Sequence, residues 1–98
     1  TLADPPTAIF CGTDRTAMGV YDALKEMGLR IPEDVAVIGF DNQELIAAYL
    51  RPALSTMALP HYEMGRWAIQ QLLEHPQVQP ENPVQEKIIC PYIERASV

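Results

Sequence analysis

The sequence has few positive charges, and they form no cluster. Its 98 residues include seven Lys or Arg and thirteen Asp or Glu, which gives a formal net charge of −6 at pH 7. A nucleic-acid surface needs several cations on one face to contact phosphates. We therefore expect no such surface within these residues, although DNA binding by another part of a longer protein is compatible with this charge.

Long apolar runs are also missing. No stretch approaches the roughly 20 apolar residues that a membrane-spanning helix requires, and no basic segment followed by an apolar one marks a signal peptide. The chain opens on Thr1 rather than Met, so we expect a piece of a longer protein. The mature part of a secreted protein would have the same features.

Cysteine and histidine are scarce. Cys11 and Cys90 form no CxxC pair and lie in apolar, strand-like runs, which is typical of small buried thiols; a disulfide or a shared metal is the less favoured alternative. His61 and His75 stand 14 residues apart on one predicted helix and cannot share a metal from neighbouring turns. We expect neither a metal site nor a cofactor.

The sequence motifs of common enzymes are absent as well. There is no GxSxG elbow, no GxxxxGK[ST] phosphate loop and no GxGxxG after a strand. A role for Asp41 as a general acid or base is the remaining catalytic hypothesis, and no nucleophile or metal constellation accompanies it. We therefore expect a protein that is not an enzyme.

Apolar runs alternate with amphipathic segments, which predicts one small α/β domain. Strands are predicted over residues 8–12, 35–40, 54–59 and 86–98, the first two of them buried, and helices over residues 13–29, 43–50 and 60–75. A polar loop is predicted over residues 76–85. The order β-α-β-α-β-α-β predicts a mainly parallel sheet flanked by helices, and Pro91 predicts that the last strand is short or lies at an edge.

The first helix has signals at both ends. Thr13 or Asp14 can cap its N-terminus, and Gly28 suits the left-handed position after its last turn. Its apolar stripe is predicted to contain Ala17, Val20, Tyr21, Leu24 and Met27.

Small polar residues follow the first two strands. Ligands of open parallel sheets bind outside the carboxyl ends of the strands, and here the chain leaves its strands at residues 12–14, 41–43 and 59–61. The Asp41 carboxylate can accept hydrogen bonds from a ligand, or it can cap the next helix or form a turn. Thr13 is a better candidate than Asp14 to face a ligand, and His61 is a candidate pocket residue.

Two segments closely resemble the LacI/GalR family of bacterial transcriptional repressors. They are "PPTAIFCGTDRTAMGVYDALKEMGLRIPEDVAVIGFDN" and "LRPALSTMALPHYEMGRWA". The family commonly shows C-x-N-D-x-x-A-x-G, then G-L-x-[IV]-P-x-D-[VI]-x-[VI]-[VI]-G-[FY]-D-[DN], then P-x-L-T-T-[VI] and a closing ER-x-S. The counterparts here are residues 12–19, 28–42, 52–57 and 94–97.

The resemblance implies a cytoplasmic regulator with an N-terminal helix-turn-helix domain, absent here, that binds DNA. The present chain would belong to a two-lobed, periplasmic-binding-protein-like effector domain, with residues 1–59 and 86–98 in the C-terminal lobe and residues 60–85 in the N-terminal lobe. A small polar effector, a sugar or a purine-like molecule, would bind between the lobes, with no membrane involved. The alternative is a fragment of a periplasmic sugar-binding transport protein.

The same resemblance implies roles for particular residues. Asp41 matches the family's effector-binding carboxylate, and Thr13 stands where Asn is usual. Leu59 replaces a common Gln and makes the pocket more apolar. Leu59, Pro60 and His61 would form the hinge, with Leu59 and His61 also lining the pocket, and the chain would return as a strand over Lys87–Ile93.

A homodimer interface is implied on the first two helices. Met18 and Asp22 lie on the first and Tyr49 near the end of the second. The helix from about His61 to His75 would lose its natural neighbour in this fragment, and its apolar face would need another surface, for example a second copy of the chain.

Overall fold

The computed structural model describes residues 3–77 and 83–98. The elements of these residues follow the predicted alternation, and they are β1 (Ala8–Phe10), α1 (Asp14–Glu26), β2 (Ala36–Asp41), α2 (Glu44–Ala47), β3 (Ser55–Ala58), α3 (His61–Glu74) and β4 (Tyr92–Ile93). Part of the loop predicted over residues 76–85 lies outside the described residues. None of the described helices combines the length and the apolar character needed to cross a membrane.

The four strands form one sheet in the order β1-β2-β3-β4. The β1/β2 and β2/β3 pairs are parallel and the β3/β4 pair is antiparallel, which confirms the prediction of a mainly parallel sheet. The register places Asp41 opposite Ala58 at the carboxyl ends of β2 and β3. These ends therefore lie together along the carboxyl edge of the sheet, the side at which the parallel strands end. This side is called the sheet edge below.

The last strand is short and is an edge strand of the sheet, as expected from the presence of Pro91. It covers Tyr92–Ile93, so the expected strand over Lys87–Ile93 is wrong for its first five residues. Proline has no N–H for a ladder, but the Pro91 carbonyl oxygen still accepts a hydrogen bond of 2.8 Å from the Ala58 N–H. The pairing with β3 thus begins at the proline.

The core lies between α1 and one face of the sheet. Ala17, Tyr21 and Leu24 of α1 are buried in one cluster with Val35 and Val37. Consecutive strand residues point to opposite faces, so the residues between the buried ones, Ala36, Ile38 and Phe40, remain partly exposed. The prediction that β2 is buried on both faces is therefore wrong.

Two further burial predictions fail for related reasons. The first strand was expected to be buried, but Ala8 is exposed and Phe10 is 62% exposed. Met27, predicted in the apolar stripe of α1, is 66% exposed because the helix ends at Glu26 and the chain turns away at Gly28. Gly28 has φ +72°, the left-handed conformation predicted for it.

The C-terminal segment is tied to the beginnings of β2 and β3. The buried Ser97 hydroxyl donates to the Val37 carbonyl oxygen (2.5 Å) and accepts from the Ser55 N–H (2.8 Å). The Ser97 carbonyl oxygen accepts from the Val37 N–H (2.9 Å). These buried hydrogen bonds anchor the tail in the core.

The chain divides into two compact units. The first runs to Leu59 and resumes with Pro91–Val98, and the second is Pro60–Cys90. The first unit thus resumes at Pro91. Helix α3 of the second unit has no buried residue, and its exposed apolar side chains are Tyr62, Met64, Ile69, Leu72 and Leu73.

Candidate functional site

The ends of the three parallel strands lie side by side in the first unit. The Gln43 N–H donates a hydrogen bond of 2.6 Å to Asp14 Oδ2, which joins the segment after β2 to the start of α1. The Leu59 N–H donates one of 3.1 Å to the Asp41 carbonyl oxygen, which joins the end of β3 to the end of β2. The structure therefore brings Thr13–Asp14, Asp41–Gln43 and Leu59 to one edge of the sheet.

The backbone at the end of β2 has an uncommon conformation. Asp41 has φ +116° and Asn42 has φ +60°, and neither residue is glycine. Asn tolerates the left-handed region better than most residues, whereas such positions generally cost about 1–3 kcal/mol each and persist only where surrounding structure holds them. This edge is thus a place where the fold maintains a strained loop.

The half-buried Asp41 side chain is held by its neighbour. Gln43 Nε2 donates a hydrogen bond of 2.7 Å to Asp41 Oδ2. Gln43 occupies the N-cap position of α2 and makes no side-chain cap bond. The alternative in which Asp41 caps the next helix is therefore wrong, because that position belongs to Gln43.

Asp14 has a role that the sequence did not predict. It was considered as an N-cap, but it is the first residue of α1 and is fully buried. Its two oxygens accept separate hydrogen bonds of 2.6 Å, one from the Gln43 N–H and one from the Thr56 hydroxyl. Asp14 therefore connects α1, β3 and the segment after β2.

A glycine makes room for this carboxylate. A Cβ at Gly39 would overlap Asp14 Oδ1 and would lie 2.9 Å from Leu54 Cδ2. The Cys11 thiol is also nearby: burial raises its pKa, and the negative charge of Asp14 raises it further. The region beneath the edge is thus closely packed around one buried carboxylate.

Arg95 is the second residue that sequence reasoning missed. Its Nη2 donates to Asn42 Oδ1 (2.9 Å) and its Nη1 to the Leu54 carbonyl oxygen (2.9 Å). Its backbone N–H donates to Ser55 Oγ (2.7 Å). The closing ER-x-S pattern was the available signal, but it did not indicate a contact with Asn42.

Thr13 is the N-cap of α1, which confirms one of the two predicted alternatives, Thr13 or Asp14. Its Oγ1 accepts from the Thr16 N–H (3.1 Å) and shares a hydrogen bond with Thr16 Oγ1 (3.0 Å). Thr13 is exposed at the sheet edge, Leu59 is half-buried there, and His61 is an exposed residue at the start of α3 in the second unit.

The residues predicted at a dimer interface are all exposed. Met18 is 43% exposed and Tyr49 is 68% exposed, while Asp22 lies one turn after Met18 on the same face of α1. Helices α1 and α2 pack against each other. Met18 and Asp22 therefore lie on a helix that packs against α2, whereas Tyr49 lies in the turn after α2, which ends at Ala47 and not at the predicted residue 50.

The thiols and the possible metal ligands are dispersed. Cys11 is buried, Cys90 is half-buried, and both are free thiols. Within the described ranges, no three His, Cys, Asp or Glu residues are grouped so that they could hold a metal ion. The candidate site is the polar cluster at the sheet edge, where Asp41 has a positive φ angle and is hydrogen-bonded to Gln43.

Comparison with known proteins identifies the family of this fold. The family of periplasmic binding protein-like domains matches residues 1–98. The repressor CytR of Escherichia coli K12 is 42% identical over 96 residues, which are 98% of this chain and 28% of CytR. The ribose operon repressor of Haemophilus influenzae is 46% identical over 74 residues, 76% of this chain and 22% of the repressor.

Solved structures give the same result. A LacI family transcriptional regulator from Enterococcus faecalis V583, with bound ribose, superposes on this chain with a TM-score of 0.77 at 36% sequence identity. The match covers 97% of this chain and 35% of the regulator chain. The chain thus spans about a quarter of its curated relatives and about a third of this structure. The chain belongs to the periplasmic binding protein-like domain family, and within that family it is of the type found in LacI/GalR regulators.

Proposed function

We propose that the chain is the effector-sensing and dimerisation portion of a DNA-binding transcriptional regulator of the LacI/GalR type. In this proposal a small polar ligand, a sugar in the first instance, binds at the sheet edge and changes the affinity of the whole protein for DNA. The whole protein binds DNA through a separate helix-turn-helix domain and acts in the cytoplasm.

The proposal rests on the position and the orientation of the Asp41 carboxylate. Its carboxylate stands at the carboxyl edge of a parallel sheet, on a backbone with φ +116°, and is oriented by Gln43 Nε2. Strained backbones cluster at ligand sites, and a carboxylate accepts charge-assisted hydrogen bonds from hydroxyl groups. Asp41 would bind two hydroxyl groups of a sugar or the N–H groups of a purine-like ligand.

Sugars are the first class to test. A relative is named for the ribose operon, and a similar regulator structure contains ribose. Thr13 would assist Asp41 through its single hydroxyl, which already caps α1. Leu59 would supply an apolar contact at the same edge, and His61 is the further proposed pocket residue.

The two compact units suggest the two lobes. Residues up to Leu59 together with the C-terminal segment would belong to the C-terminal lobe, and Pro60 onward to the N-terminal lobe, with the hinge at Leu59 and Pro60. The apolar side chains of α3 would be covered by the remainder of the N-terminal lobe. In the intact protein the ligand would bind between the two complete lobes.

Regulation would follow from a shift between two arrangements of the lobes. A ligand that binds one arrangement more tightly raises the population of that arrangement. A homodimer interface formed by Met18, Asp22 and Tyr49 would transmit the change to the DNA-binding domains. The ligand and the DNA would then alter each other's affinity by the same factor.

A thermal-shift screen of the intact two-lobed domain tests the proposal. The panel contains sugars, sugar phosphates, nucleosides and purines. A ligand at a hundred times its Kd stabilises the folded state by about 2.7 kcal/mol, which raises Tm by a few degrees. We expect a hit that Asp41→Ala abolishes, and the matched Glu33→Ala variant, at the other end of β2, should retain it.

The dimer has its own test in the intact protein. Met18→Glu should lower the apparent molecular mass measured by light scattering, because it places a charge in the proposed interface. Met27→Glu is the matched control, since Met27 is another exposed methionine, just after the last residue of the same helix, and is not in the proposed interface. Equal behaviour of the two variants would contradict the proposed interface.

The gene sequence upstream of these residues would distinguish a regulator from the alternative, a periplasmic transport protein. A periplasmic sugar-binding protein would carry a signal peptide upstream of these residues, whereas a regulator carries a helix-turn-helix domain. The names of the relatives, which are repressors, favour the regulator.

A further inference from the structure

Asn42 is held in a left-handed conformation by a residue from the far end of the chain. Its side-chain oxygen accepts a hydrogen bond of 2.9 Å from Arg95 Nη2. Asn42 directly follows Asp41, and the two share the uncommon positive φ angles at this edge. Whatever fixes Asn42 therefore also fixes the direction in which the Asp41 side chain leaves the strand.

Arg95 is itself fixed at three points. Its second guanidinium nitrogen donates to the Leu54 carbonyl oxygen (2.9 Å), and its backbone N–H donates to Ser55 Oγ (2.7 Å). A planar guanidinium held in this way can orient two acceptors simultaneously.

We propose that Arg95 is a positioning residue for the ligand-binding carboxylate of Asp41, and that it acts through Asn42. The inference rests on the proposed function of Asp41. Arg95 holds the outer side of the strained loop, while Asp14 holds the inner side through the Gln43 N–H. The ligand then meets a carboxylate whose orientation is set before binding, so little order is lost when it binds.

A double-mutant cycle separates this role from a general structural one. Titration calorimetry with D-ribose, or with the sugar that gives the largest thermal shift, is applied to the intact two-lobed domain. Arg95→Met keeps an apolar stem and removes the guanidinium. Asn42→Gly adopts a positive φ without help from a hydrogen bond, so it removes the need for Arg95.

The two variants should not act independently. Arg95→Met should weaken binding about tenfold in the original background, because the Asp41 carboxylate would then have to be ordered when the ligand binds. In the Asn42→Gly background the same change should leave the affinity within about twofold. Ser97→Ala is the control: it removes a tail hydrogen bond that does not involve Asn42, and should lower Tm while the folded protein binds the sugar as before.

An equal loss of affinity from Arg95→Met in both backgrounds would overturn the proposal, because Arg95 would then act through the tail. A further readout does not require a ligand. In NMR spectra of the ligand-free domain, Arg95→Met should move the Asp41 and Asn42 Cα resonances, and Ser97→Ala should not. If Arg95→Met leaves the Asp41 and Asn42 Cα resonances unmoved, the positioning role is overturned. If the original protein binds none of the sugars, that result counts against the proposed function alone.

Discussion

Asp14 and Gln43 are joined by a hydrogen bond of 2.6 Å from the Gln43 N–H to Asp14 Oδ2. Asp14 is fully buried at the start of α1, and Gln43 orients the Asp41 carboxylate through its own side chain. A buried carboxylate is stable in a protein interior only when hydrogen bonds replace its hydration. The bond therefore links the packing of the core directly to the geometry of the candidate site.

Gly39 should be the most sensitive glycine of the first unit. Gly39→Ala drives a Cβ into Asp14 Oδ1 and against Leu54 Cδ2. Overpacking of this kind costs about 1–3 kcal/mol, and we expect the free energy of unfolding in urea to fall by at least that amount.

Gly19→Ala is the matched control for this change. No atom lies within 4 Å of a Cβ at Gly19, which is in the interior of α1. Alanine is favoured over glycine in a helix by about 0.5–1 kcal/mol, so this variant should be more stable than the original protein. A loss of stability equal to that of Gly39→Ala would contradict the assigned packing.

Thr56 should be more important to stability than its size suggests. Thr56→Val keeps the shape of the side chain but removes the hydroxyl that donates to Asp14 Oδ1. A buried acceptor left without its donor costs about 1–3 kcal/mol, which denaturant unfolding would detect. The exposed Thr16→Val should change the free energy of unfolding by less than about 0.5 kcal/mol, and similar losses from both variants would contradict the buried network.

The two thiols should differ in reactivity. Cys11 is 3% exposed, and burial together with the Asp14 charge raises its pKa, whereas Cys90 is half-buried. In native protein at pH 8, iodoacetamide should modify Cys90 first and should reach Cys11 only on unfolding. Mass spectrometry of timed samples measures this order, and rapid modification of Cys11 in folded protein would be the contrary result.

The raised pKa of Cys11 also determines how this thiol makes the free energy of unfolding depend on pH. The folded state favours the protonated thiol, so the contribution of this group to stability is complete below the ordinary thiol pKa of about 8.5. It is lost as the pH rises through the higher pKa of the folded state. Urea titrations of the original protein and of Cys11→Ala at pH 7 and pH 10 should show this loss only in the original.

The arrangement of elements could be predicted because each element carries local signals. The stripes of period 3.6 depend on near neighbours in the chain. The signals from Thr13 before α1, Gly28 after it and Pro91 before β4 act through the backbone. Burial on the second face of β2 could not be predicted in the same way. An apolar run indicates a capacity for burial, whereas Ile38 and Phe40 depend on which elements lie above them.

The candidate site was predictable in position but not in construction. Asp41 is a candidate because it follows an apolar strand, a local property, and because it matches the effector-binding carboxylate of the family that the sequence resembles. Asp14 and Arg95 form their contacts with residues 29 and 53 positions away in sequence. A helix-start Asp and a tail Arg have common local explanations, so only the folded chain distinguishes these roles.

The most direct test of the account is the affinity of the intact two-lobed domain for its best sugar before and after Asp41→Asn. The substitution keeps the size of the side chain and removes the charge. Hydrogen bonds to charged groups contribute about 1.5–3 kcal/mol each, so calorimetry should show binding weakened about tenfold to a hundredfold or more, at an almost unchanged Tm of the ligand-free protein. A sugar that binds Asp41→Asn as tightly as the original domain would contradict the assignment of Asp41 as the ligand-binding carboxylate.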